Sequence, residues 1–148
     1  MTEASQVLVW IHADSLSVAD PAMIANGNAP AVFIFDDALL SKHGFSHQRL
    51  VFLYESAVEI AAQNPLFEIH HGHVCETLRS LALTFGATEI HTTSGIAPLQ
   101  AKTLSLLEKD FSIRLHEPEK FVTYKGPTPK RFMNFWYKIE KDAMRFDR

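Results

Sequence analysis

A single cysteine, Cys75, among 148 residues rules out an internal disulfide, so a buried core has to hold the chain together. No apolar run approaches the roughly 18 residues of a membrane span, and no basic segment leads into an apolar core at the amino terminus, so neither a spanning helix nor a signal peptide is expected. Strong charge of one sign is also missing. The formal net charge is -3, which argues against a general grip on nucleic-acid phosphates. Gly-x-Gly-x-x-Gly, Gly-x-x-x-x-Gly-Lys and Gly-x-Ser-x-Gly are all absent, which removes the dinucleotide-fingerprint, P-loop and α/β-hydrolase readings. These absences predict a cytoplasmic protein that neither enters a membrane nor binds nucleic acid directly. A hydrophobic fraction of 47% with 21% charged residues fits one soluble domain over residues 1–148, long enough to bury about two thirds of its unfolded surface.

What is present is a series of short apolar runs: Val7 to Ile11, Ala31 to Phe35, Leu66 to Ile69, Glu89 to His91 and Phe111 to Leu115. They are rich in Val, Ile, Phe and Leu without clear alternation, which is how strands buried on both faces read. Helical spacing lies between them. Asp20-Pro21 supplies a cap and a first-turn proline for a short helix to about Asn26. From Ser46, the residues Leu50, Leu53, Tyr54, Ala57, Ile60 and Ala61 form a stripe that ends at Asn64-Pro65. Val74, Leu78, Leu81, Ala82 and Phe85 repeat the pattern up to Gly86, and Ile96, Leu99, Thr103, Leu106 and Leu107 do so again. Thr128-Pro129 predicts the start of a last helix carrying Phe132, Phe135, Trp136 and Ile139. The fold class is therefore α/β: a doubly wound, Rossmann-like parallel sheet of five strands, with helices on both faces and right-handed crossovers giving the order 3-2-1-4-5.

In such a sheet, ligands bind beyond the carboxyl ends of the strands. His12, His70, His91 and His116 fall at or just past those ends, with Asp14 and Asp36 on neighbouring loops. The candidate ligand-binding set is His12, Asp14, Asp36, His91 and Thr92. Imidazoles beside a carboxylate suit a transition metal or, when protonated, a phosphate, and His12 and His91 on adjacent strands form the favoured pair. Strand ends also carry polar residues simply because they meet water, and no residue is assigned as catalytic or metal-ligating. His70-His71-Gly72-His73 has the His-x-Gly-His form of nucleotidyltransferases but follows the third run, where those enzymes carry it after the first. Cys75, next to Val74 and near Leu78, reads as a small buried apolar residue. Lys125 to Arg131 reads as a basic surface loop stiffened by two prolines.

The order of Val7 to Trp10, Asp20-Pro21-Ala22, Ala31-Val-Phe-Ile-Phe-Asp36 and Arg49-x-x-Phe52-Leu53 resembles the amino-terminal α/β domain of the photolyase and cryptochrome family. The likeness continues through Gly72, Gly86-Ala87 and Arg131-Phe132-x-x-Phe135-Trp136, and so covers nearly the whole chain. The resemblance implies a domain that carries an antenna chromophore, folate or deazaflavin, while FAD and damaged DNA belong to a larger helical domain downstream. With the sequence ending at Arg148, neither FAD nor dimer repair is expected of this polypeptide alone. Two departures bear on the antenna. Ala13-Asp14-Ser15-Leu16-Ser17 stands where the family has Arg-Asp-Leu-Arg, and Thr93-Ser94-Gly95 stands where folate-binding members have Asn and Glu. Of the polar matches, Asp20 reads as a helix cap, and Arg49 is expected to pair with a carboxylate or a backbone carbonyl.

The last helix carries aromatics on more than one face, a surplus that often marks an interface. Phe132, Phe135 and Trp136 are therefore the expected contact with a second copy of the chain or with a separate flavin-binding subunit. Two functional classes follow: a stand-alone module that binds a nucleotide-like or chromophore-like molecule or a partner, and a His/Asp enzyme for metal or phosphate chemistry. The module is preferred.

Overall fold

The computed structural model describes residues 6–42 and 44–145, and the chain divides between Pro118 and Glu119 into two units. The first unit holds five strands: β1 (Val7–Ile11), β2 (Ala31–Asp36), β3 (Phe67–Gly72), β4 (Glu89–Thr93) and β5 (Ser112–His116). All pair in parallel in the order β3-β2-β1-β4-β5. The sheet is the expected one. Because β1 lies at its centre, every residue from Leu8 to Ile11 is buried, and the strand needs apolar side chains at consecutive positions.

The helices of this unit are α1 (Pro21–Ala25), α2 (Asp37–Lys42), α3 (His47–Gln63), α4 (Val74–Phe85) and α5 (Pro98–Leu107). Two core layers result. Leu8, Trp10, Val32, Ile34 and Ile90 pack with Leu78 and Ala82 of α4 and with Leu104 and Leu107 of α5. On the other side, Val9, Ile11, Ala31 and Phe33 pack with Ala22 and Met23 of α1 and with Ala57 and Ile60 of α3. Odd and even residues of one strand thus serve different layers, as the pleat requires. Cys75 is buried within the first layer, in keeping with its apolar reading.

Local chemistry sets the boundaries. Asp20 caps α1 by accepting from the Met23 amide at 2.8 Å, and Ser46 caps α3 by accepting from Arg49. Gly86 ends α4 with φ 65, a left-handed conformation in which its amide reaches the Ala82 and Leu83 carbonyls. Two expected stripes are modified. Tyr54 lies on the exposed side of α3, and Ile96 precedes α5, which starts at Pro98. The helix α2 and a 3-10 turn at Ala13–Ser15 lie outside the expected helices.

The second unit holds α6 (Phe132–Ala143), which begins at Phe132 rather than at Pro129. A residue preceding proline is pushed toward extended backbone, and Arg131 is itself extended, with φ -139 and ψ 139, so the helix starts after both. Tyr124 packs edge-on against Phe135 with ring centroids 5.1 Å apart, while Phe132 stacks with Trp136 at 5.9 Å. Among the described residues, no helix is long and apolar enough to cross a membrane.

Candidate functional site: a cleft at the carboxyl ends of the first two strands

Beyond β1 and β2 the first unit opens into a cleft with about 110 Å³ of free space. Its walls come from Trp10, Phe33, Ile34 and Phe35 of the sheet, from Leu39 and Leu40 of α2 with Phe45 behind them, and from Leu99, Gln100 and Thr103 of α5. His12, Asp14 and Asp36 line it as well. Three of the five candidate residues therefore share one cleft. Asp36 owes its place to a second role: its Oδ1 accepts from the Ala38 amide at 2.8 Å and the Leu39 amide at 3.0 Å, so it caps the helix that forms one wall. Arg49, expected to meet a carboxylate or a carbonyl, instead sits over the Phe45 ring, 4.4 Å from its centroid.

His12 is a fastening rather than a free imidazole. Its Nε2 lies 2.7 Å from the Thr93 carbonyl oxygen, which can only accept, so Nε2 carries the proton. Nδ1 then accepts from the Asp14 amide at 3.3 Å. Gln100 reinforces the joint by donating Nε2 to the same Thr93 carbonyl at 2.8 Å and accepting from the Gly95 amide at 2.8 Å. Space here is tight enough to dictate the residue type. A Cβ on Gly95 would stand 2.6 Å from Gln100 Oε1 and 2.8 Å from His12 Cε1, so only glycine fits between them. Thr103, 95% buried by its 5% exposure, lines the cleft with a hydroxyl that has no hydrogen-bond partner among the described residues.

His91 and Thr92 stand elsewhere. Thr92 is fully buried, and its hydroxyl donates to the Trp10 carbonyl at 2.7 Å. His91 pairs in register with Val9, not with His12, and faces the α1 side of the sheet, so the favoured His12–His91 pair does not form. There its Nδ1 lies 2.8 Å from Asn26 Nδ2 and 3.1 Å from His116 Nε2, while its Nε2 lies 3.2 Å from Glu89. Burial first, then the nearby His91, and last Arg114 hold His116 below the ordinary imidazole value of 6.5, with Asp20 opposing them. Asp20 is the hinge of this side: almost wholly buried, it also accepts from the Thr93 hydroxyl at 2.7 Å and from Ser15 Oγ. His70 bonds Glu68 at 2.8 Å on the edge strand β3, away from both groups. Among the described residues, no three His, Cys, Asp or Glu side chains gather to hold one metal ion.

Gln100, Thr103, Leu40 and Phe45 are cleft residues that the candidate set omitted. Thr103 stood in the sequence as one polar member of an otherwise apolar helical stripe, and that was the available signal.

An open parallel sheet of this strand order, with a cleft at its carboxyl edge, defines a Rossmann-like α/β protein with a photolyase-like fold. No protein-family model matches the sequence, and no curated protein matches it significantly. Among solved structures, a bacterial class III photolyase from Agrobacterium tumefaciens is similar, with a TM-score of 0.60 and 18% identity over 95% of this chain. The chain spans 32% of that photolyase's length. At this identity the likeness concerns the fold.

Proposed function

We propose that this chain is a cytoplasmic binding module that holds a small planar molecule, nucleotide-like or chromophore-like, in the cleft between β1, β2, α2 and α5. The observation that carries this reading is the make-up of the cleft: aromatic and aliphatic walls with a few polar groups at the strand ends, the usual recipe of a small-molecule site. Acid–base chemistry at this edge is the weaker reading, because both ring nitrogens of His12 are bonded to backbone groups. Of the antenna chromophores that the family resemblance implies, a deazaflavin has a flat, uncharged ring that such walls would clasp. We further propose that α6 contacts a second copy or a separate flavin-binding subunit, since Phe132 and Tyr137 on it are exposed.

Trp10 and Trp136 are the two tryptophans, so Trp136→Phe leaves Trp10 as the sole indole reporter, set in the cleft wall. Saturable quenching of Trp10 by riboflavin or adenosine, abolished by Leu40→Glu, is the expected result. Absorption above about 350 nm in the protein as purified would be a further mark of a resident aromatic ligand. Absence of both saturable quenching and such absorption would end the proposal.

A further inference from the structure

The charge of the cleft narrows what it can take. Among the described residues, no Lys or Arg lines it, whereas Asp14 and Asp36 both do. Arg49 touches the cleft only through Phe45, on whose ring it rests. The other polar side chains are largely committed: His12 through both nitrogens, and Gln100 through its oxygen and its nitrogen. Helix α5 adds little for an anion, because Pro98 at its first position has no amide hydrogen and the Gln100 amide donates to the Ala97 carbonyl. Among the described residues, what remains free is the second oxygen of Asp36, the Asp14 carboxylate and the hydroxyl of Thr103, which faces the cleft. A carboxylate only accepts hydrogen bonds, so a partner must bring donors.

Size adds a second limit. The free space here, about 110 Å³, is smaller than the roughly 150 Å³ apolar cavity that accommodates benzene, so the cleft takes at most one six-membered ring and leaves the rest of a larger ligand at the mouth.

We propose that the cleft selects a neutral or cationic heteroaromatic ring bearing N–H donors, which bond Asp36 and Asp14 at the mouth while Thr103 meets the ring's inner polar atom, and that it rejects phosphate- or carboxylate-bearing ligands. This rests on the cleft being the binding site. Within that site it chooses donors over anions. An anion placed among two carboxylates with no lining cation meets like-charge repulsion in a partly water-excluded space, which is worth at least about tenfold in affinity.

Benzamidine, benzamide and benzoate share one ring and carry charges of plus one, zero and minus one, so they isolate the electrostatic term. Ligand-observed NMR on the full chain should rank them in that order, with benzoate at least about tenfold weaker than benzamidine and the gap shrinking in high salt. Asp36→Asn keeps a side chain able to cap α2 and should remove most of the preference for benzamidine. Thr103→Val should weaken benzamide several-fold while leaving the unfolding midpoint unchanged or raised, since the hydroxyl it removes has no partner among the described residues. Adenosine binding in preference to AMP would extend the result to larger ligands.

Benzoate or AMP binding as well as its uncharged counterpart would overturn the inference, with Arg49→Gln then expected to abolish that binding. An unchanged benzamide affinity in Thr103→Val would overturn the inner contact. These failures are distinct from failure of the binding module itself, which would show as no saturable binding by any planar probe.

Discussion

The two polar groups at the strand ends look alike in sequence and differ in the fold. One, around His12, Asp14 and Asp36, borders an apolar cleft between α2 and α5. The other, around His91 and His116, lies on the α1 side and bonds mainly within itself and to Asn26 and Glu89. What separates them is parity and register. His12 shares its face with Trp10, whereas His91 sits level with Val9 on the opposite face, so adjacency of β1 and β4 does not bring their histidines together. A polar residue near a strand's end becomes part of a site only when it borders open space, as His12 does and His91 does not.

The sharpest way to break this contrast is Gly95→Ala. The added methyl overlaps both Gln100 and His12, so we expect a loss of about 1–3 kcal/mol, read as a lower urea midpoint, together with loss of ligand binding in the cleft. An unchanged midpoint would mean that the His12–Thr93–Gln100 joint is loose. Asp20→Ala tests the other side. It removes a helix cap and leaves the buried Thr93 hydroxyl short of an acceptor, so a cost of about 2 kcal/mol is expected. Cleft affinity should fall little in that variant, because Asp20 does not line the cleft.

Strand order and the central place of β1 were legible because β1 and β2 have both faces covered and read as unbroken apolar runs. The edge strands β3 and β5 are more polar and more exposed. Asp20 as a cap and Cys75 as a core residue followed from local spacing alone. The candidate site was only half legible. His12, Asp14 and Asp36 could be placed at strand ends, but the wall facing them comes from α2, six residues with one cap that resemble a loop. Gln100 and Thr103 are visible as site residues only once the amino-terminal half of α5 is set over β1, a relation between residues some ninety positions apart. His91 and Thr92 stay out of the cleft for different reasons: register sets His91 level with Val9 on the opposite face, while Thr92, level with Trp10, is fully buried with its hydroxyl on the Trp10 carbonyl.

The smallest expected effect concerns acid. His116 has its folded pKa lowered mainly by burial, with His91 contributing, so the folded state binds fewer protons than the unfolded chain between that lowered value and the ordinary 6.5. Stability from this group is therefore complete above about pH 6.5 and declines as pH falls through the folded value. Burial sets the sign; of the charged and titratable neighbours, His91 and Arg114 add to it, while Asp20 favours protonation. In wild type, the urea midpoint should drop between pH 7.5 and 5.5, and His116→Asn should flatten part of that slope. Asp36→Asn, on the cleft side, should leave the slope unchanged. If instead Asp36→Asn changed the acid response and His116→Asn did not, the division of the two strand-end groups into an open cleft and a closed histidine cluster would be reversed.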